Sequence, residues 1–235
     1  MKHQYVGDIS DFEKYAILRS LAAASGLGLS ICWMLTPDDS STDGRRLTYL
    51  DDPRRYRDRD RDVFDGLTTL VRSGERSVHA IESLSLLPDA TYFTDELRDH
   101  AQERDRYFSS FHAQLTPHRL VFFDPDNGLA PASQKVGRSR SSKYLFPEEL
   151  VRTYAAGHSV IAFHHWGRYQ RAPFLEQTIA VLETATGARS AFAIHGARVA
   201  YFVVPQPTDA EPLHAAAASL VARWPSPSKL QLHLM

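Results

Sequence analysis

Asp124-Pro125-Asp126-Asn127-Gly128 sets two carboxylates, an amide and a glycine directly after the apolar run Leu120-Val121-Phe122-Phe123. Four apolar residues in a row read as a strand buried on both faces, and ligands of open α/β sheets bind in the crevice outside such strand ends. The Asp-x-Asp spacing suits a divalent cation, a ribose or an amino group. The same five residues also make a good turn. Two further strand ends carry comparable chemistry: Thr36, Asp38 and Asp39 in one, His164, His165 and Trp166 in the other. Carboxylate oxygens suit magnesium or manganese, and added histidine shifts the preference towards manganese, iron or zinc. Asp38, Asp39, Asp124 and Asp126 are therefore the candidate metal ligands. Asp124, Asp126, His164, His165 and Lys14 are candidate catalytic groups, the histidines because a histidine titrates near neutrality and serves as base or acid. Along a strand one of His164 and His165 points into the crevice and the other away.

The segment Gln134-Lys135-Val136-Gly137-Arg138-Ser139-Arg140-Ser141-Ser142-Lys143 holds four positive charges and no acid. Cations separated by small hydroxyl residues suit phosphate oxygens, although such a segment also reads as a solvated loop. Arg138, Arg140, Lys143 and Arg168 are candidate phosphate contacts, and Tyr144 and Trp166 are candidate stacking platforms for a base. Near the amino terminus, Gly7-Asp8-Ile9-Ser10-Asp11-Phe12-Glu13-Lys14-Tyr15 is dense in polar groups for a helix start. Asp8 and Asp11 suit a helix dipole and are also candidate substrate contacts, as is Asn127. Lys14 falls in the first turn, where a cation is unfavourable, which points to a contact between Lys14 and an acid or a phosphate.

These residues need a sheet to bring them together. With Asp11 as N-cap, Phe12, Tyr15, Ala16, Leu18, Leu21 and Ala22 recur at helical spacing up to Gly26 and Gly28. Buried strands are expected at Leu29–Leu35, Leu120–Phe123 and Ser159–Phe163, with shorter ones at Ser77–Ile81, ending in Glu82, and at Ala90–Phe93. Helices are expected at Val63–Val71, Asp95–Gln114, from Pro147 to Gly157, at Phe174–Thr184 and at Asp209–Arg223. Ser190–Ile194 and Arg198–Val204 flank His195-Gly196-Ala197 and read as a hairpin. Alternating strands and helices predict one Rossmann-like α/β domain over residues 1–235, with a mostly parallel sheet, helices on both faces and a C-terminal antiparallel hairpin. The 235 residues, 43% of them apolar and 23% charged, suit that fold. A net charge of −1 gives no global pull towards nucleic acid or membrane. The single cysteine, Cys32, lies in an apolar run and reads as a small core residue. Neither a signal peptide nor a membrane span is legible, so the expected location is cytoplasmic.

Tyr5-Val6-Gly7-Asp8 through Tyr15, Trp33-Met34-Leu35-Thr36-Pro37-Asp38 with Asp43-Gly44, Phe122 through Leu129, and Ser142-Lys143-Tyr144 together resemble a family of uncharacterised bacterial proteins. More remotely, the layout is similar to ribosomal RNA adenine-N6 methyltransferases, which open with Gly-Asn-His-Ala-Asp-x-x-Lys-His and carry Asp-Pro-Pro-Tyr where this chain has Asp124-Pro125-Asp126-Asn127. That resemblance implies a methyltransferase-like sheet and makes S-adenosylmethionine a possible cofactor. It is disfavoured because the loop Thr36–Gly44 is acidic with one glycine, and because asparagine stands in the place of the stacking tyrosine. Glu82, at an expected strand end, is the candidate grip for ribose hydroxyls. The leading expectation is a metal-dependent phosphodiester hydrolase acting on nucleic acid or a nucleotide. The alternatives are a methyltransferase with an altered cofactor loop and an inactive Rossmann-like module that binds nucleic acid or a partner.

Overall fold

Runs of β-branched and aromatic residues without polar interruption form strands that bury both faces, and three of them make the middle of the sheet. A computed structural model of the chain describes residues 1–87, 89–117, 119–167, 170–224 and 230–234. In chain order its elements are α1 (Ile9–Ser25), β1 (Gly28–Cys32), α2 (Pro53–Tyr56), α3 (Arg61–Ser73), α4 (Val78–Ser83), β2 (Thr91–Phe93), α5 (Ala101–Gln114) and β3 (Arg119–Phe123). There follow β4 (Gly128–Leu129), β5 (Tyr144–Leu145), α6 (Pro147–Ala155), β6 (Ser159–His165), α7 (Arg171–Thr186), β7 (Phe192–His195), β8 (Val199–Val204), α8 (Ala210–Ala222) and β9 (Gln231–Leu234).

Among the described residues the main sheet has seven strands in the order β2-β1-β3-β6-β8-β7-β9. β2, β1, β3 and β6 run parallel, with Leu29 beside Leu120 and Val121 beside Val160. β8 returns antiparallel between β6 and β7, and β9 lies antiparallel to β7 at the edge. The chain is a Rossmann-like α/β fold with an antiparallel C-terminal part. Alternation along the strands divides the core. Leu29, Ile31, Leu120, Phe122 and Ile161 pack with Phe12, Leu18, Leu67 and Leu213 of α1, α3 and α8 on one face. Cys32, Val121, Phe123 and Val160 pack with Phe108, Phe111, Leu150 and Ile179 of α5, α6 and α7 on the other. Burial pushes the Cys32 thiol up to about 12, so it behaves as the core residue expected rather than as a nucleophile. Among the described residues no helix is long and apolar enough to cross a membrane.

The departures from the sequence reading have local causes. Ser77–Ile81 is not a strand. Ser77 caps α4 by accepting a hydrogen bond from Ala80 N at 3.1 Å, and Val78 and Ile81, three apart, bury one helical face. Glu82 thus sits at the end of a helix, where it accepts from Trp33 Nε1 at 3.0 Å. α1 is capped by Asp8, which accepts from Ser10 N at 3.0 Å, and not by Asp11, which lies inside the first turn and accepts from Gly7 N at 3.0 Å. β1 stops at Cys32, because Met34 takes φ +46° and turns the chain out of the sheet. α5 begins at Ala101, later than expected, since 94–100 form a loop that carries Asp99. β9 and the β4–β5 ribbon were not legible, being too short and too mixed in character.

The 134–143 segment is a built loop. Asp99 accepts from Arg140 N at 2.6 Å and Ser142 N at 2.7 Å, and the buried Arg104 donates to Ser141 O at 3.0 Å and Tyr144 O at 2.7 Å. Arg104 is itself bidentate on Glu149 of α6 at 2.5 and 2.8 Å. One guanidinium therefore ties the loop to two helices.

A candidate active site at the strand ends

Outside the carboxyl ends of β3 and β6 lies a cavity of about 750 Å³. The loop after Gly44, the start of α1 and the β7–β8 turn close it. Asp8, Asp11, Lys14, Asp124, Asp126, Asn127, His165 and Trp166 all line it. Asp38, Asp39, His164, Arg138, Arg140, Lys143 and Tyr144 are not part of that lining. Arg168 falls outside the described residues.

At the floor, Lys14 Nζ lies 2.8 Å from Asp11 Oδ1 and 2.6 Å from Asp124 Oδ2, with all three side chains about 3% exposed. The cation that looked misplaced in its helix turn thus bridges α1 to the end of β3. Burial disfavours the lysine's charge, but the two carboxylates outweigh it and raise its pKa, so Lys14 stays protonated and is no base. Burial raises the pKa of Asp11 despite Lys14. The Lys14 ammonium also sits 5.4 Å above the Phe163 ring.

Asp126 is compensated from several segments at once. Its Oδ1 lies 2.8 Å from the Met1 α-amine, and its Oδ2 accepts from the Thr36 hydroxyl at 3.1 Å. Lys143 Nζ and Lys2 Nζ stand 3.7 and 3.9 Å away. Burial works against this carboxylate, yet the amine, Lys143 and Lys2 hold its pKa below the usual range. The amine also donates to Asp124 O at 2.8 Å and Met34 O at 3.3 Å, filling the space between the ends of β1 and β3. Asp38 and Asp39 are exposed and hold the amino-terminal segment: Asp38 Oδ1 accepts from Gln4 N at 3.1 Å, and Asp39 pairs with Lys2 and Gln4. Among the described residues no group of three or more His, Cys, Asp or Glu is arranged to hold a metal ion. With lysines and an amine on the crevice carboxylates, the donor set as placed does not fit a resident divalent ion.

The two histidines part as strand alternation requires. His164 points towards α7, its ring 4.9 Å from Phe174, and its Nδ1 accepts from Leu129 N at 3.1 Å. Burial, with His165 beside it, lowers its pKa to about 4. Its Nε2 has no hydrogen-bond partner among the described residues. His165 opens onto the cavity, and its backbone N donates to Asn127 O at 3.1 Å. Although its ring meets the cavity, protein surrounds it closely enough that desolvation, with Lys14 behind it, lowers its pKa below the usual 6.5. At neutral pH it is an uncharged imidazole facing open space, the state a general base needs.

Gly128 is what lets these strand ends meet. It has φ +116°, and a Cβ there would lie 2.3 Å from His164 Nδ1 and 2.7 Å from His164 Cα. Gly128→Ala is expected to cost roughly 1–3 kcal/mol from overpacking alone, with backbone strain added. Urea denaturation checks this. A variant as stable as the parent would show that β4 packs less closely on β6 than described.

Sequence reasoning missed the cations of the crevice wall. Arg46 donates to Asp8 Oδ1 at 2.6 Å and to Ser10 Oγ at 2.8 Å. Arg45 and Arg198 are exposed, line the cavity and form no ion pair among the described residues. Arg198 follows the hairpin turn and Arg45 follows Gly44, so the only sequence signal was their position beside turns. Compared with known protein families and with curated proteins, the chain matches no family model and no curated sequence.

Proposed function

We propose that this crevice is the active site of a phosphodiester hydrolase acting on nucleic acid or a nucleotide. The observation that carries the reading is the company His165 keeps: a neutral, cavity-facing imidazole in a cavity whose lining also includes Arg46 and the exposed Arg45 and Arg198. Guanidinium groups bind phosphate oxygens in bidentate fashion, and the half-buried Trp166 offers a ring for a base. In this reading His165 takes a proton from water as the water oxygen bonds to phosphorus. The bond from phosphorus to the leaving oxygen breaks, and that oxygen takes a proton from solvent. Arg45 and Arg198 hold the phosphate oxygens in place. The Lys14–Asp124 pair fixes α1 against β3, and its lysine helps to keep His165 neutral.

The reaction's pH dependence tests the base. Only unprotonated His165 serves, and its pKa is lowered, so the rate is expected to be flat through neutral pH. It should fall only as pH drops below 6.5, when the ring gains its proton. The profile of kcat/KM on an aryl phosphodiester measures this. An inflection on the alkaline side of 7 would assign the base to another group.

One observation favours methyl transfer: Asp124-Pro125-Asp126-Asn127 closes a strand beside the crevice, and Asn127 lines it. Against it stands Met1, bonded between the ends of β1 and β3, where chain connections reverse and where such sheets hold a cofactor. The acidic residues 38, 39 and 43 on the neighbouring loop do not fit S-adenosylmethionine either. Calorimetric titration is expected to give no binding of that cofactor, and tight binding would put methyl transfer first.

A further inference from the structure

Beyond Trp166 lies a second cavity, of about 520 Å³, between the end of β7, the edge strand β9 and the first turn of α7. Its polar groups come from one sheet face. His195 is paired with Gln231 and Ala193 with His233. Alternation therefore sets His195, Gln231 and His233 on the same side. Leu175 supplies an apolar wall on that side, Leu230 and Leu232 border the cavity from the other sheet face, and the exposed Arg171 lines it. This mixture of apolar wall, hydrogen-bonding side chains and one cation matches a nucleobase and its adjoining phosphate.

The two cavities share a partition. Trp166 lines the first, and its ring lies 5.8 Å from that of His195 in the second, nearly perpendicular at 83°. Arg171 lies over the same indole at 5.4 Å and donates to Ala197 O at 2.7 Å. Trp166 Nε1 donates to Gly196 O at 3.0 Å, so the ring is fixed on the hairpin turn. A stacked strand advances about 3.4 Å per nucleotide. The two cavities are neighbours across one indole and one imidazole, close enough for adjoining nucleotides of one strand to reach both.

We infer that the second cavity is the subsite for the nucleoside adjacent to the scissile phosphate, so that the substrate is a single-stranded nucleic acid rather than a mononucleotide. This rests on the hydrolase reading for the first cavity. Duplex is disfavoured because a base enters the second cavity only when it is unpaired.

The test uses the full chain carrying His165→Ala, which leaves substrate uncut. Binding of thymidylyl-(3′→5′)-thymidine and of thymidine monophosphate is read by quenching of Trp166, since Trp33 and Trp224 are buried. The dinucleotide is expected to bind about 10-fold tighter or more, the scale of one stacked base. Adding Ala172→Phe, an exposed position on the wall of the second cavity, should erase that advantage and leave the monophosphate affinity unchanged. Arg171→Glu should likewise erase the dinucleotide's advantage over the monophosphate without filling the space, compared within the variant because Arg171 also packs on Trp166. Equal affinity for the two ligands, or an advantage that survives both variants, overturns the subsite. Hydrolysis of bis-p-nitrophenyl phosphate by the unsubstituted chain is scored separately. Its absence overturns the hydrolase reading, while the binding comparison still decides the subsite.

Discussion

Lys14→Met is expected to cost about 3–5 kcal/mol, the scale for removing one partner of a buried ion pair. Lys14 is the only group among the described residues that ion-pairs with either Asp11 or Asp124. Methionine fills similar volume, so the loss reports charge and not a void. With total stabilities of roughly 5–15 kcal/mol, the variant should melt far earlier in urea. Its pH dependence identifies the cause. Without the lysine, Asp11, whose pKa burial already raises, loses the cation that opposed the rise, so it stays above its unfolded value by a wider margin. The folded chain then binds more protons than the unfolded chain, so the deficit should shrink as pH falls into the ordinary carboxylate range. Asp124→Asn in the same chain should restore part of the loss, because it removes one of the two stranded charges. A midpoint shift worth less than about 1 kcal/mol would mean that water reaches the triad.

Lys14 also shows what a sequence can and cannot reveal. Its position in the first turn of α1 conflicts with the helix dipole, and that local conflict announced a tertiary partner. Which acid it would meet, 110 residues away, was not legible. The central strands were legible because Leu120–Phe123 and Ser159–Phe163 are uninterrupted apolar runs. Ser77–Ile81 misled because a short apolar stretch fits a strand or a helical turn, and the cap at Ser77 decided for the helix. Alternation required His164 and His165 to part. Only packing on α7 settled which of them faced away from the crevice, and only the folded chain brought Arg45 and Arg198, from segments far apart in sequence, to the lining of one cavity. Asp126 drew compensation from residues 1, 2 and 143. No spacing rule anticipates a group assembled from segments so far apart.

His165→Ala is expected to lower kcat on a phosphodiester by about 10²–10⁴-fold, the range for removing a general base, with KM little changed. The side chain opens onto the cavity and contributes little to the core, so the fold should persist, as urea denaturation can verify. Arg198→Ala separates binding from chemistry. It is expected to raise KM, with a weaker salt dependence than the parent because one screened phosphate contact is gone. The two effects differ because the imidazole handles a proton in the transition state, whereas an exposed guanidinium attracts phosphate in ground and transition states alike. A His165→Ala enzyme that retains full kcat would remove the base from the mechanism. Attention would then pass to Glu13, whose carboxyl burial pushes up to about 7 despite Arg46 and Arg59 nearby. Glu13 Oε2 lies 3.5 Å from the position a Cβ would take at Gly196, on the turn that leads to Arg198, although Glu13 itself is not part of the cavity lining. Glu13→Gln would then abolish the residual rate, while leaving it untouched if His165 is the base.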